Sequence, residues 1–194
     1  MSSEPALDKR ELRQKLRALL KALPDTEGSA ASLRARALLR QQSVWKSARA
    51  VLFYAPLAGE IDLSAMLEEG LRAGKAIALP RFMRETGAYD AFQIRDAAGD
   101  CAPGKFGISE PTAQCARFSL KHLDLVLAPG VGFDVTGGRL GRGQGFYDRL
   151  LAQISGIKCG VAFDQQIVER IPGEKHDVRM NCILTPTRWL EISE

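Results

Sequence analysis

Leucines at 12, 16, 19 and 23 recur at spacings of four, three and four, which puts them on one stripe of an amphipathic helix that Pro24 terminates. Ser2 or Ser3 is expected to cap its start, with Pro5 in the first turn. A second helix is expected from about Ser29 to Gln42, where small residues and leucines alternate with arginines. The pattern then changes to short β-rich segments: Ala50–Tyr54, Ala76–Leu79, Ala91–Ile94, Leu123–Ala128, Cys159–Phe163 and Cys182–Thr185. Helical patterns such as Leu63–Ala73 separate them. This alternation predicts βαβ units, a mostly parallel sheet and one α/β domain over residues 1–194. Ligands of such sheets bind beyond the carboxyl ends of the strands, so the loops Ala55–Asp62 and Pro129–Gly145 are expected to face one crevice.

The second of these loops leads into the run from Gly137 to Arg149, which combines glycines, arginines and a carboxylate. Glycines at 141, 143 and 145 let the backbone approach an anion closely and turn its N–H groups inward, while Arg139 and Arg142 add fixed positive charge. Phe146, Tyr147, Leu150 and Leu151 suggest that the loop opens directly into a helix, whose first amides add to the same potential. Asp148 then falls in the first turn, where a carboxylate can hold a magnesium ion brought by phosphates. The run matches neither a Walker loop nor a G-x-G-x-x-G fingerprint, and a plain surface turn would need neither the arginines nor the aromatic pair.

Charge narrows the partners. The 27 basic and 23 acidic residues give a net charge of +4, which favours anionic ligands. Basic residues are dispersed and do not interleave with aromatics as on a base-stacking surface, so no nucleic-acid partner is expected. Four cysteines at irregular intervals indicate neither a zinc site nor a disulfide framework. No uncharged run approaches the roughly 18 residues of a membrane span, and Met1–Arg10 has no apolar leader core. A cytoplasmic monomer without membrane partners is expected.

Several other polar residues are ambiguous on local grounds. Lys9 and Arg13 lie four apart, so they emerge from one helix face and can converge on an anion, with Arg17 continuing the row; such residues are also the ordinary solvated face of a helix. Glu60, after Gly59, is locally a helix-dipole partner. His176-Asp177 offers an acid/base pair or a structural hydrogen bond, and His122 reads as packed or exposed rather than catalytic. Phe106 stands in a turn-rich segment and lines either a pocket or the core.

Taken together, Lys9-x-x-Leu12-Arg13, Gly59-Glu60-Ile61-Asp62, Leu79-Pro80-Arg81, Gly107-Ile108-Ser109-Glu110-Pro111, Asp124 to Gly130, Phe133-Asp134, the Arg139 to Asp148 loop and Pro172-x-x-x-His176-Asp177-Val178 resemble the 5-formyltetrahydrofolate cyclo-ligase family almost end to end. The resemblance implies a three-layer α/β/α fold related to ribose-phosphate isomerase and CoA transferase. It also implies an ATP- and Mg2+-dependent closure of 5-formyltetrahydrofolate to 5,10-methenyltetrahydrofolate with release of ADP and phosphate. By the family pattern Lys9 and Arg13 grip ATP, as does the segment Arg139, Leu140, Gly141, Arg142, Gly143, Gln144, Gly145, Phe146 and Tyr147. Arg142 to Phe146 also touch the folate, Glu60 accepts hydrogen bonds from the pterin, and Asp148 holds magnesium. Arg139 and Arg142 are the expected stabilisers of transition-state charge, because guanidinium matches phosphate oxygens.

Three positions depart from the pattern. Asn181 stands where the family has a second acidic residue, which would weaken the metal site. Gln144 replaces lysine or glycine, and Phe146 replaces the first tyrosine of Tyr-Tyr-Asp, changes that would loosen contacts to the γ-phosphate or the pterin. A relative that only sequesters 5-formyltetrahydrofolate would carry the same residues, as would an ATP-dependent enzyme for another formylated metabolite.

Overall fold

The structure, a computed structural model, describes residues 8–104, 107–174 and 177–193. The expected cap at Ser2 or Ser3 and the first-turn Pro5 lie outside the described residues. The first helix, α1 (Lys9–Lys21), is started by Asp8. Its carboxylate accepts from the N–H groups of Arg10 and Glu11, both at 2.8 Å, while Glu11 accepts from the N–H of Asp8 at 3.2 Å. These contacts form a capping box that satisfies otherwise orphaned helix-terminal amides. Pro24 does not end α1, which closes at Ala22; it is the N-cap of α2 (Asp25–Gln41), where its fixed φ suits a helix entry.

After a short α3 (Ser43–Ser47) come β1 (Ala50–Leu52), α4 (Ser64–Arg72), β2 (Ala76–Met83), β3 (Ala88–Ile94) and a hairpin of β4 (Cys101–Pro103) with β5 (Ser109–Pro111). The chain continues through β6 (Leu125–Pro129), β7 (Gly132–Asp134), β8 (Arg139–Leu140), α5 (Phe146–Leu151), β9 (Ile157–Val161), β10 (Ile167–Val168), β11 (Cys182–Leu184) and β12 (Trp189–Glu191). The main sheet has the order β12-β11-β9-β6-β1-β2-β3. Its five inner strands run parallel, and β3 and β12 join antiparallel at the two edges.

Both faces of the sheet are buried, giving the three layers. Val51, Leu125, Leu127, Cys159 and Leu184 pack towards Ala35 and Leu39 of α2 and Met66 of α4. Their strand neighbours Leu52, Val126, Ala128 and Ile183 pack towards Leu150 and Leu151 of α5. A strand covered on both sides reads as a continuous apolar run, which is how the sequence shows it.

Helix α1 lies apart from these layers. Leu12 and Leu16 pack with Val131, Leu140 and Ile171, against a small three-stranded sheet of order β10-β7-β8. That sheet sits where the chain leaves the carboxyl end of β6, so the packing brings the cationic flank of α1 to the mouth of the main sheet.

One buried carboxylate organises this region. Asp134, 1 % exposed, accepts from the N–H and hydroxyl of Thr136, from Gly138 N–H and from Ile171 N–H at 2.7–2.9 Å. Burial pushes its pKa up, but the hydrogen bonds from Ile171, Thr136 and Gly138 outweigh that and hold it below the ordinary 3.8. Gly137, at φ +87°, and Gly138 therefore make the tight turn between β7 and β8. The expected single loop from Gly137 is thus divided: its first part is a pinned hairpin that includes Arg139 and Leu140, and only 141–145 is open loop.

Asp134→Ala leaves three backbone N–H groups without their acceptor. At about 1–3 kcal/mol each it should cost at least ~3 kcal/mol, a fall of roughly 6–12 °C in melting temperature. A carboxylate with a depressed native pKa contributes stability above its unfolded value and loses that contribution as pH falls through the native value. The difference between wild type and variant should therefore shrink in acid, as thermal melts across pH would register.

Candidate functional site

Arg139 leaves β8 pointing beneath the carboxyl end of β6. Its side chain is 3 % exposed; Nη2 bridges to Asp148 Oδ1 at 2.8 Å and Nη1 donates to the Pro129 carbonyl at 3.2 Å. Its Nε is buried without a hydrogen-bond partner among the described residues. Asp148 sits in the first turn of α5, as expected, and its pairing with Arg139 ties that helix to β8. The guanidinium also lies 5.5 Å from the Tyr147 ring centroid.

The open loop follows. Gly143 (φ +102°) and Gly145 (φ +64°) adopt backbone conformations that other residues rarely do, whereas Gly141 does not. Arg142, half exposed, reaches across to Glu60 and bridges Nη2 to Oε1 at 2.8 Å. Glu60 is held from its own side too: its Oε2 accepts from Leu57 N–H at 3.0 Å, and the Glu60 N–H donates to the Leu57 carbonyl at 3.0 Å. Buried Tyr54 fixes the far end of this segment by donating its hydroxyl to the Ile61 carbonyl. The loops after β1 and β6 therefore face one crevice, as the alternation of elements predicts.

Between them lies a cavity of about 520 Å³. One wall is polar, with Glu60, Arg139, Arg142 and Asp148; the other carries Tyr89, Phe146 and Tyr147, with Ile108 and Ser109 at its edge. Tyr89 contacts Phe146 edge-on at 5.7 Å, and Phe82 supports both rings at 5.7 and 5.3 Å. Desolvation, then the charge of Glu60, raises the Tyr147 pKa, so its phenol stays protonated as a donor. Tyr89 is raised by desolvation and Glu110. The sequence reading did not select Tyr89: its signal, an aromatic in an edge strand, is that of any core residue.

The α1 row divides among three environments. Lys9 bridges Glu174 Oε1 and Asp177 Oδ2, both at 2.8 Å. Desolvation opposes its charge, but Asp177 and Glu174 more than offset this and raise its pKa. Arg13 Nε donates to the Gly141 carbonyl at 2.9 Å. Arg17 lines a second, more polar groove of about 810 Å³ with Lys21 and Arg36; it shares Leu57, Ala58, Glu60, Gly130 and Arg142 with the first cavity. Arg13 thus touches the open loop while Lys9 is engaged by Glu174 and Asp177, and the two do not converge on one point. The acidic partners of Lys9 were not anticipated, because nothing local links positions so distant in the chain.

Asn181 is not part of this cluster. It precedes β11 at the amino end of the parallel strands, and its Oδ1 accepts from Lys158 N–H at 2.9 Å. The expectation that it weakens a metal site is therefore corrected: strand direction carries it to the rim opposite Asp148. His122 is exposed, while His176 and Phe106 lie outside the described residues. Gln166, overlooked in the sequence, donates to the carbonyls of Gly130 (2.8 Å) and Val131 (3.0 Å) and shapes the floor of the crevice. Among the described residues, no three His, Cys, Asp or Glu side chains gather as a metal cage, and no helix is long and apolar enough to cross a membrane.

Comparison with known proteins bears on this geometry. The sequence model of the 5-formyltetrahydrofolate cyclo-ligase family matches residues 5–186. The chain belongs to that family. A 5-formyltetrahydrofolate cyclo-ligase from Escherichia coli is 32% identical over 148 residues, covering 74% of this chain and 81% of that protein. A probable 5-formyltetrahydrofolate cyclo-ligase from Caenorhabditis elegans is 29% identical over 188 residues, 91% of each. The NMR structure of 5,10-methenyltetrahydrofolate synthetase from Aquifex aeolicus superposes with a TM-score of 0.86 at 32% identity, covering 96% of this chain and 93% of that one. The α/β fold with its mostly parallel sheet is therefore the fold of this ligase family.

Removing one member of a buried ion pair leaves an uncompensated charge, at about 3–5 kcal/mol. Asp148→Ala should lower stability by an amount in that range, and Arg139→Met combined with Asp148→Ala should recover part of it. A double-mutant cycle in urea measures the coupling; strictly additive losses would show that the pair does not hold α5 to β8.

Proposed function

We propose that this cyclo-ligase converts 5-formyltetrahydrofolate to 5,10-methenyltetrahydrofolate with consumption of ATP and release of ADP and phosphate. The observation that carries the proposal is the two-sided cavity, with aromatic rings on one wall and Arg139, Arg142 and Glu60 on the other. A formamide is a poor electrophile, so its oxygen has to become a leaving group. Attack of the formyl oxygen on the γ-phosphate forms the O–P bond and releases ADP; the bridging-arm nitrogen then adds to the activated carbon, loses its proton and expels phosphate. The protein's contribution is alignment and neutralisation of spreading charge.

The named residues fit those tasks. Phe146 and Tyr89 offer edges and faces to a flat ring, and Glu60, nine-tenths buried, offers an acceptor to ring N–H groups. Arg142, on a glycine-flanked loop, is placed to follow phosphate oxygens, and Arg139, held from below, supplies a fixed guanidinium. Lys9 and Arg13 extend positive charge along α1 for the rest of the triphosphate. Magnesium fits as an ion carried by the nucleotide: of the two carboxylates that line the cavity, Glu60 and Asp148, the second would hold it, and Mg2+ commonly combines one or two carboxylates with phosphate oxygens and water. When bound, it would neutralise phosphate charge.

Appearance of the methenyl chromophore, followed spectrophotometrically with and without ATP and magnesium, tests the reaction. Product formation dependent on both is expected; saturable folate binding without product would replace the enzyme with a sequestering protein. Arg142→Ala should lower kcat by about 10²–10³, the usual loss for one oxyanion donor. Asn181→Asp should leave the magnesium concentration for half-maximal rate within about twofold, as for a surface change remote from the site.

A further inference from the structure

The Glu60–Arg142 bridge does more than decorate one wall, because both residues border both cavities. On one side is the aromatic cavity. On the other is the polar groove, lined by Arg17, Lys21 and Arg36 together with Asp25 and Asp62. The bridge therefore stands where the two spaces meet, so an anion at Arg142 and a ring at Glu60 act on one and the same contact. Its members are unequal: Glu60 is 10 % exposed and anchored through Leu57, whereas Arg142 is 53 % exposed on the loop that carries Gly143 and Gly145 at positive φ.

We infer that the Glu60–Arg142 ion pair is a latch that makes binding of the folate and binding of the nucleotide mutually dependent. The inference rests on the proposed reaction. An anion that draws Arg142 away on its own strands a buried carboxylate, which is costly. A ring whose N–H groups satisfy Glu60 removes that cost and leaves Arg142 free to turn towards the phosphates. Each ligand thus lowers the free energy needed to seat the other, and the effect is reciprocal by linkage. Arg142 then reaches the transferring phosphoryl group only when the formyl acceptor is in place, which limits futile hydrolysis of ATP.

Calorimetric titration of the intact protein with a β,γ-methylene ATP analogue, in the absence and presence of saturating 5-formyltetrahydrofolate, tests the latch. Wild type is expected to bind the analogue roughly tenfold more tightly when the folate is present, within the usual range of 5–150-fold for coupled sites. Arg142→Met, a change on a half-exposed loop, should bind the analogue more weakly and with a ratio near one, because no bridge remains for the folate to release. A wild-type ratio near one, or retention of the full ratio in Arg142→Met, overturns the latch. The first of these needs no variant. A protein that forms product but shows no coupling loses only the latch; a protein that forms no product loses the proposed reaction.

Discussion

Like charges gathered at one end of a sheet repel, and the organisation of this site follows from how that repulsion is relieved. Arg139 and Arg142 approach the crevice from a strand and a loop and are neutralised by Asp148 and Glu60 from other segments, while Lys9 of α1 is held by Asp177 and Glu174. While Leu12 and Leu16 seat α1 by apolar packing, those counter-ions offset the repulsion. With them, the same pairs define what a polyanion has to displace. Burial sets the order of difficulty, since Arg139 is almost wholly enclosed while Arg142 is half in water.

The scaffold beneath these pairs is apolar and rigid. Leu12 and Leu16 seat α1 on the small sheet, Asp134 pins the β7–β8 turn, and Gln166 holds the carbonyls where β6 ends. The loop 141–145, between β8 and α5, is held instead by Arg13 on Gly141, by Arg149 on Gln144 and Gly145, and by the Arg142–Glu60 bridge. An enclosed cation, Arg139, thus stands just before this segment and a half-exposed one, Arg142, within it.

Much of the fold is legible in the sequence because the inner strands are buried on both faces and read as apolar runs. Their ends are less so. β2 continues through Pro80 and Arg81 to Met83, because it pairs with the edge strand β3, although a proline in a run ordinarily marks its end. The brief strands of the small sheet leave no periodicity to read. Within the site, the glycine loop, Asp148 at a helix start and the two facing loops follow from local pattern and from the carboxyl-end rule for parallel sheets. The counter-ions do not: Glu60 and Arg142 are 82 residues apart, and Lys9 and Asp177 are 168 apart, so only the folded chain brings them together. Asn181 shows the reverse error, in which a residue with suitable chemistry is carried to the wrong rim by strand direction.

Helix α5 has six residues, and they serve two ends. Leu150 and Leu151 are wholly enclosed beneath the sheet, while Phe146, Tyr147 and Asp148 form the wall and the anchor above. With less than two turns between them, the two sets cannot drift independently over evolutionary time. Adaptation to heat or cold that retunes the interior here will be felt in turnover, and any shift in ligand preference will register in how firmly the chain holds its shape.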